Sequence, residues 1–347
     1  MKIGSRTIGR GHRPYVIAEM SGNHNQSLDR ALEIVDAAAA NGADAVKLQT
    51  YTADTMTLNV RMPGFVIEDP ASLWAGRQLY ELYEQGCTPW DWHRPIMERA
   101  AAQGLDCFSS PFDPTAVDFL DSLGVAAYKI ASFEIVDLPL IRKVASTGKP
   151  MIVSTGMATA AEIDDAVRAA RSAGCADLML LKCTSTYPAK AENTNIQTIP
   201  HMREMFGCEV GLSDHTMGSG VAVAAVALGA SLIEKHFTLA RADGGVDSAF
   251  SMEPHELKQL CAEVENARQA LGQVNYGPTP SEMKSLAFRR SLYVSMDVKK
   301  GDLFDDTNVR AVRPGFGLPP KFIDSVIGRR AARDAPAGTP VSWGLLA

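Results

Sequence analysis

The chain has 347 residues, 46% of them hydrophobic and 21% charged, with a formal net charge of −6. That length and balance describe a globular chain with room for one large domain and a small one, and the acidity argues against a general nucleic-acid-binding role. The six cysteines (Cys87, Cys107, Cys175, Cys183, Cys208 and Cys261) contain no C-x-x-C pair, which leaves no zinc or redox signature.

Residues 1–14 are expected to form a short β-hairpin ahead of the first apolar stretch, YVIAEMSGNH. No apolar segment of the signal-peptide kind opens the sequence, and the longest apolar run, 220–233, is too short to span a bilayer. Reduced thiols and a cytoplasmic location are therefore the expectation. From Tyr15 onward one grammar repeats: a helical stretch ends at a glycine, and an apolar strand begins a few residues later. SLDRALEIVDAAAANG places Leu28, Leu32, Val35 and Ala39 on one helix face; Gly42 then supplies a left-handed cap, and AVKLQT follows. The pattern recurs at Gly104 before DCFSSPF, Gly124 before AYKIAS, Gly148 before MIVSTG, Gly174 before LMLLKCTS, Gly207 before EVGLSDH and Gly229 before LIEKHF.

Near-continuous apolar strands alternating with helices imply a parallel sheet covered on its outer face. Eight such units over about 250 residues predict a closed (β/α)8 TIM barrel. An open doubly wound sheet is the alternative, but no G-x-G-x-x-G follows any strand. The barrel domain is placed over 1–270, a turn-rich linker over 271–285, and a small domain of short strands and turns over 286–347. That last segment carries ten Lys and Arg against six Asp, a net of +4 against −10 for the rest. It reads equally as a stabilising cap or as a lid for anionic ligands.

Chemistry in such a barrel sits at the C-terminal ends of the strands. In SLIEKHFTL the alternation of a strand puts Glu234 and His236 on one face, and Ser213 and His215 share a face on the preceding strand. Neighbouring strands lie roughly 4.8 Å apart, so His215 and His236 come within reach of one metal ion; the plain alternative is a hydrogen-bonded pair of rim histidines. Two imidazoles completed by oxygen ligands suit a divalent ion such as Mn2+ better than structural zinc. Lys235 faces the other way and reads as half of a structural ion pair. Lys47 and Lys129 end non-adjacent strands and, with Ser110, Ser132, Ser185 and Ser213, make a cradle for phosphate and carboxylate, unless the lysines simply snorkel to solvent. Glu19 reads either as an acid–base group or as the partner of a rim lysine.

These residues also carry a family resemblance. IAEMSGNHNQSLDRALEIVDAAAANGADAVKLQTYTADT, FSSPFD, AYKIASFEI, IVSTGMAT, LLKCTSTYPA, GLSDHT, IEKHFTL and GGVDSAFSMEP look like the sialic acid synthases. RRSLYV and VRPGFGLPP look like their antifreeze-protein-like (SAF) domain. VKLQTY, LWAGRQLYELYEQGCTPWDWH, TSTYPA and DSAFS lean toward the branch of that family that makes pseudaminic acid. The resemblance implies condensation of phosphoenolpyruvate with a 2,4-diacetamido-2,4,6-trideoxyhexose; the N-acetylneuraminate and legionaminate branches are the alternatives. By position it implies His215 and His236 as metal ligands, and Glu19 and Asp247 as catalytic. Lys47, Ser110, Lys129, Ser132, Ser185 and Ser213 are implied as phosphoenolpyruvate contacts; Gln49, Glu134, Tyr187, Glu234 and Arg313 complete the substrate-binding set. It further implies a homodimer in which the C-terminal domains are exchanged. Gln26 stands where the family usually has Gly, Ser110 where Thr is common, and Val246 where Pro is common.

A metal-dependent aldolase or lyase barrel would use the same two histidines without needing the basic C-terminal module. A carbohydrate- or ice-binding protein would explain that module but not the polar rim.

Overall fold

A computed structural model describes residues 1–347, which divide into two compact units, Met1–Gly272 and Gln273–Ala347. In the first unit the hairpin β1 (Lys2–Ile3) and β2 (Arg6–Thr7) precedes eight parallel strands: β3 (Tyr15–Glu19), β4 (Ala45–Thr50), β5 (Asp106–Pro111), β6 (Tyr128–Ile130), β7 (Met151–Ser154), β8 (Leu178–Cys183), β9 (Glu209–Ser213) and β10 (Leu232–His236). They close in sequence order, with β10 pairing β3, so the expected TIM barrel is the fold. Every glycine expected to end a helix before a strand has positive φ, from +58° at Gly207 to +100° at Gly174, a region glycine enters at no steric cost.

The helix Leu28–Ala40 is capped by Ser27, whose hydroxyl accepts from Arg30 N. Its buried face differs from the expected stripe. Ala31, Ile34, Val35 and Ala38 are buried, whereas Leu28, Leu32 and Ala39 flank them half-buried. The two alanines let the helix lie close against the sheet, so the contact line runs through the small residues and the leucines pack beside it.

The hairpin seals the N-terminal mouth of the barrel. Ile3 and Ile8 are fully buried, and Arg6 and Arg13 both reach Asp44, which also accepts from Val16 N. The C-terminal mouth is left for the loops. Register there aligns Glu19 with both Lys47 and His236, Gln49 with Ser110, and Glu234 with Ser213.

In the second unit β11 (Ser291–Val294) and β12 (Val309–Val312) pair antiparallel over a small core that includes Leu292, Phe304, Val326 and Val341. Short bridges tie Val298 to Ala335 and Leu303 to Arg330, the pattern of short strands and turns read from the sequence. No helix is long and apolar enough to cross a membrane, and all six cysteines are free.

Candidate active site at the C-terminal mouth of the barrel

The strand ends put two lysines and two glutamates into a water-poor interior. Lys47 Nζ lies 2.8 Å from Glu19 Oε2 and 3.7 Å from Glu234 Oε1, and Lys129 Nζ lies 3.2 Å from the same Glu234 oxygen. All four side chains are at most 5% exposed, so each charge is stable only because of the others. Ser110 Oγ accepts from Lys47, Ser213 Oγ donates to Glu234, and Gln49 Nε2 donates to Glu19 Oε1. Seven of the expected site residues therefore form one connected cluster.

The carboxylates respond oppositely to this setting. Burial raises Glu19 above the usual carboxylate range despite the neighbouring Lys47 ammonium. Burial pushes Glu234 the same way, but Lys129 and Lys47 together outweigh it and hold it below that range. Burial lowers Lys129, with Glu234 offsetting only part of the effect.

A second cluster lies across the ends of β6, β7, β8 and β9. Gly156 N donates to Ser132 Oγ, and a Cβ built on Gly156 would run into Ser185 Oγ and come within 2.7 Å of Ser132 Oγ. Only glycine leaves the two serines this pocket. The Cys183 thiol sits 3.7 Å from Ser185 Oγ and 3.9 Å from His215 Nδ1. Burial would raise this thiol, but the adjacent His215 outweighs it and draws it down to about 6.

His215 and His236 face one another with ring centroids 5.3 Å apart. His215 Nδ1 lies 2.9 Å from Thr184 O, a hydrogen bond that leaves Nε2 as the free lone pair. His236 Nδ1 is buried without any hydrogen-bond partner, and burial keeps the ring well below its ordinary pKa and hence neutral. Burial would lower His215 too, but its contacts with Cys183 outweigh this and raise it. The unpartnered Nδ1 of His236 and the free Nε2 of His215 fit a divalent ion, whose binding would displace the His215 proton. No third His, Cys, Asp or Glu completes a cluster, so water or substrate oxygens would fill the remaining positions. Tyr187 packs on the pair, 4.5 Å from His215 and 6.3 Å from His236, with Phe250 behind.

Three expected residues stand apart from these clusters. Asp247 accepts from Ser21 Oγ and lies 3.5 Å from Gly22 N, which clasps the loop after β10 to the loop after β3; burial raises its carboxyl. Glu134 follows β6 with its Oε2 buried and unpartnered, and burial pushes its carboxyl up to about 7. Arg313 belongs to the second unit, in an exposed loop.

Several polar strand-end residues turn out to face away from the mouth. Ser109 bonds Thr50, which also bonds His93; His24 packs on Trp92 and Thr88; Asp214 takes the Lys235 ammonium at 3.0 Å. Lys235 is thus the structural ion pair its strand parity suggests. Sequence reasoning missed Gly156, Cys183 and Trp74. The glycine's signal was the S-T-G run after β7, but nothing in the sequence shows how near two serines approach it.

The sequence model of the NeuB family matches residues 34–276, and that of the SAF domain matches residues 289–347. The chain is 44% identical to the pseudaminic acid synthase of Campylobacter jejuni, over 99% of both chains. It is 34% identical to the N,N'-diacetyllegionaminic acid synthase of the same species, over 92% of this chain and 96% of that one. Among solved structures, the N-acetylneuraminic acid synthetase of Leptospira borgpetersenii superposes with a TM-score of 0.73 at 30% identity, covering 82% of this chain and 94% of that one.

Proposed function

We propose a reaction for a chain that belongs to the NeuB family: condensation of phosphoenolpyruvate with 2,4-diacetamido-2,4,6-trideoxy-L-altrose, giving pseudaminic acid and phosphate. The observation that carries it is the buried Lys47–Glu19–Glu234–Lys129 cluster beside the His215–His236 pair. The choice of sugar rests on the greater identity to a pseudaminic than to a legionaminic acid synthase.

Lys47 and Lys129, with Ser110, Ser132, Ser185 and Ser213, hold the phosphate and carboxylate of phosphoenolpyruvate. With both glutamates ionised the four charges cancel, which is a poor host for a polyanion. Protonating Glu19, which burial already favours, leaves a net positive charge. Anion binding and a proton on Glu19 therefore support each other, and Glu19 enters the reaction as the acid.

Carbon 3 of phosphoenolpyruvate attacks the aldehyde of the open-chain sugar, forming the new C–C bond. Glu19 gives its proton to the alkoxide this creates. Water adds to the oxocarbenium at carbon 2, and the tetrahedral product expels phosphate by breaking the C–O bond. A divalent ion such as Mn2+ held by His215 and His236 supplies Lewis-acid polarisation of the aldehyde when bound. Gln49, Glu134, Tyr187, Asp247 and Glu234 line the sugar and orient it.

The turn-rich linker over 271–285 carries the small domain to a second copy of the chain, so that Arg313 of one protomer serves the barrel of the other in a two-fold dimer. A phosphoenolpyruvate substrate and six unpaired cysteines suit the cytoplasm.

The test is phosphate release from phosphoenolpyruvate with each sugar, with and without chelator. Release should require the diacetamido trideoxy sugar of L-altro configuration, stop in chelator and return with Mn2+. Preference for N-acetylmannosamine or the legionaminate precursor would move the protein to another branch, and release indifferent to every sugar would remove it from the synthases.

A further inference from the structure

Between β4 and the helix that precedes β5 the chain makes its longest excursion, and part of it folds as a strap: Val66 bridges to Gln78, with Trp74 between them. Trp74 Nε1 donates to Val246 O at 2.8 Å, and its ring lies 5.8 Å from that of Tyr187. Gln26, in left-handed backbone with φ +55°, donates its amide to Gln85 O and Cys87 O at the end of the helix Leu79–Gly86 that follows the strap. The two positions where this chain departs from its family's usual Gly and Pro thus hold the strap and its helix from two sides.

A cavity of about 700 Å3 opens between strap residues Ser72, Leu73 and Trp74 and the Ser185 and Tyr187 side of the site. Trp74 has one polar atom, and Val246 O occupies it. The rest of the indole offers neither donor nor acceptor. A hydroxyl pressed against it gives up water without compensation, whereas a methyl gains from burial.

We propose that Trp74 is a specificity-determining wall that takes the methyl end of the acceptor sugar and disfavours the same sugar carrying a terminal hydroxyl. This rests on the synthase reading above.

The experiment compares kcat/KM for the 2,4-diacetamido-2,4,6-trideoxy sugar and its 6-hydroxy counterpart in wild type, Trp74→Ala and Trp74→Gln, with KM for phosphoenolpyruvate followed throughout. Wild type should prefer the 6-deoxy sugar by about tenfold or more, the scale on which apolar sites discriminate. Trp74→Ala should bring the ratio to within about twofold, and Trp74→Gln, which places a polar group on the wall, should raise turnover of the 6-hydroxy sugar relative to the other. KM for phosphoenolpyruvate should not move, as it would if the mouth had simply collapsed. Variants that turn over with the wild-type ratio, or a wild type without preference, overturn the wall while leaving the synthase intact. A wild type that makes product from neither sugar overturns the pseudaminic reading and this inference with it.

Discussion

Lys47 and Glu19 are ion-paired register partners on β4 and β3, 2.8 Å apart with neither side chain more than 3% exposed. Removing the carboxylate leaves Lys47 the Ser110 hydroxyl and, as its one counter-charge, the more distant Glu234 oxygen at 3.7 Å. Glu19→Ala should therefore destabilise the barrel by about 3 kcal/mol, in the range found for broken buried pairs. Glu19→Gln keeps the shape but cannot give a proton, so kcat should fall by roughly 10²- to 10⁴-fold. Thermal unfolding and steady-state kinetics on the two variants check this; a Gln variant with near-normal kcat would remove Glu19 from the chemistry.

Gly156 makes room for two serine hydroxyls. Gly156→Ala puts a methyl between Ser132 and Ser185, where it displaces whatever anion they hold. Overpacking of this kind costs about 1–3 kcal/mol in stability. The diagnostic effect is on KM for phosphoenolpyruvate, which should rise about tenfold or more while KM for the sugar changes little. An unchanged KM for phosphoenolpyruvate would place its binding elsewhere.

Glu134 makes stability depend on pH. Its carboxyl is raised by burial from 4.5 to about 7. Between those values the folded chain holds a proton that the unfolded chain has released, so the contribution of this group to stability falls as pH rises. Glu134→Gln abolishes that fall. Its melting temperature relative to wild type should climb from pH 4.5 to about 7.5 and then level off, whereas a constant difference would mean the carboxyl titrates normally.

The proposed exchange of the C-terminal domain would make a composite site from two chains. Arg313→Ala and Glu19→Ala should each be nearly inactive, and their mixture should recover part of the activity because mixed dimers regain one intact site. Subunit exchange is verified separately by mass. A mixture that exchanges but stays dead would mean each chain builds its site alone.

Much of this was legible in the sequence because strand parity and glycine caps are local. The alternation in LIEKH put Glu234 and His236 inside and Lys235 outside, and the structure pairs Lys235 with Asp214. Lys47 and Lys129 were expected to converge, and they meet on Glu234. What escaped was long-range. Glu19 read as either an acid or a lysine's partner because its neighbour comes from the next strand's register. Trp74 gave no sign of reaching Val246, 172 positions away. His24 and Ser109 follow or end barrel strands, but they turn into the helix layer because Thr88, Trp92 and His93 wait there.

The reaction itself is tested most directly with phosphoenolpyruvate carrying 18O in the bridging C–O–P position, incubated with Mn2+, the enzyme and the 6-deoxy diacetamido sugar. Cleavage of the C–O bond leaves that oxygen on phosphorus. The released phosphate should retain the label, in equal amount to a nine-carbon 2-keto acid. Label recovered in the keto acid, or phosphate released with pyruvate and no C–C bond formed, would contradict it.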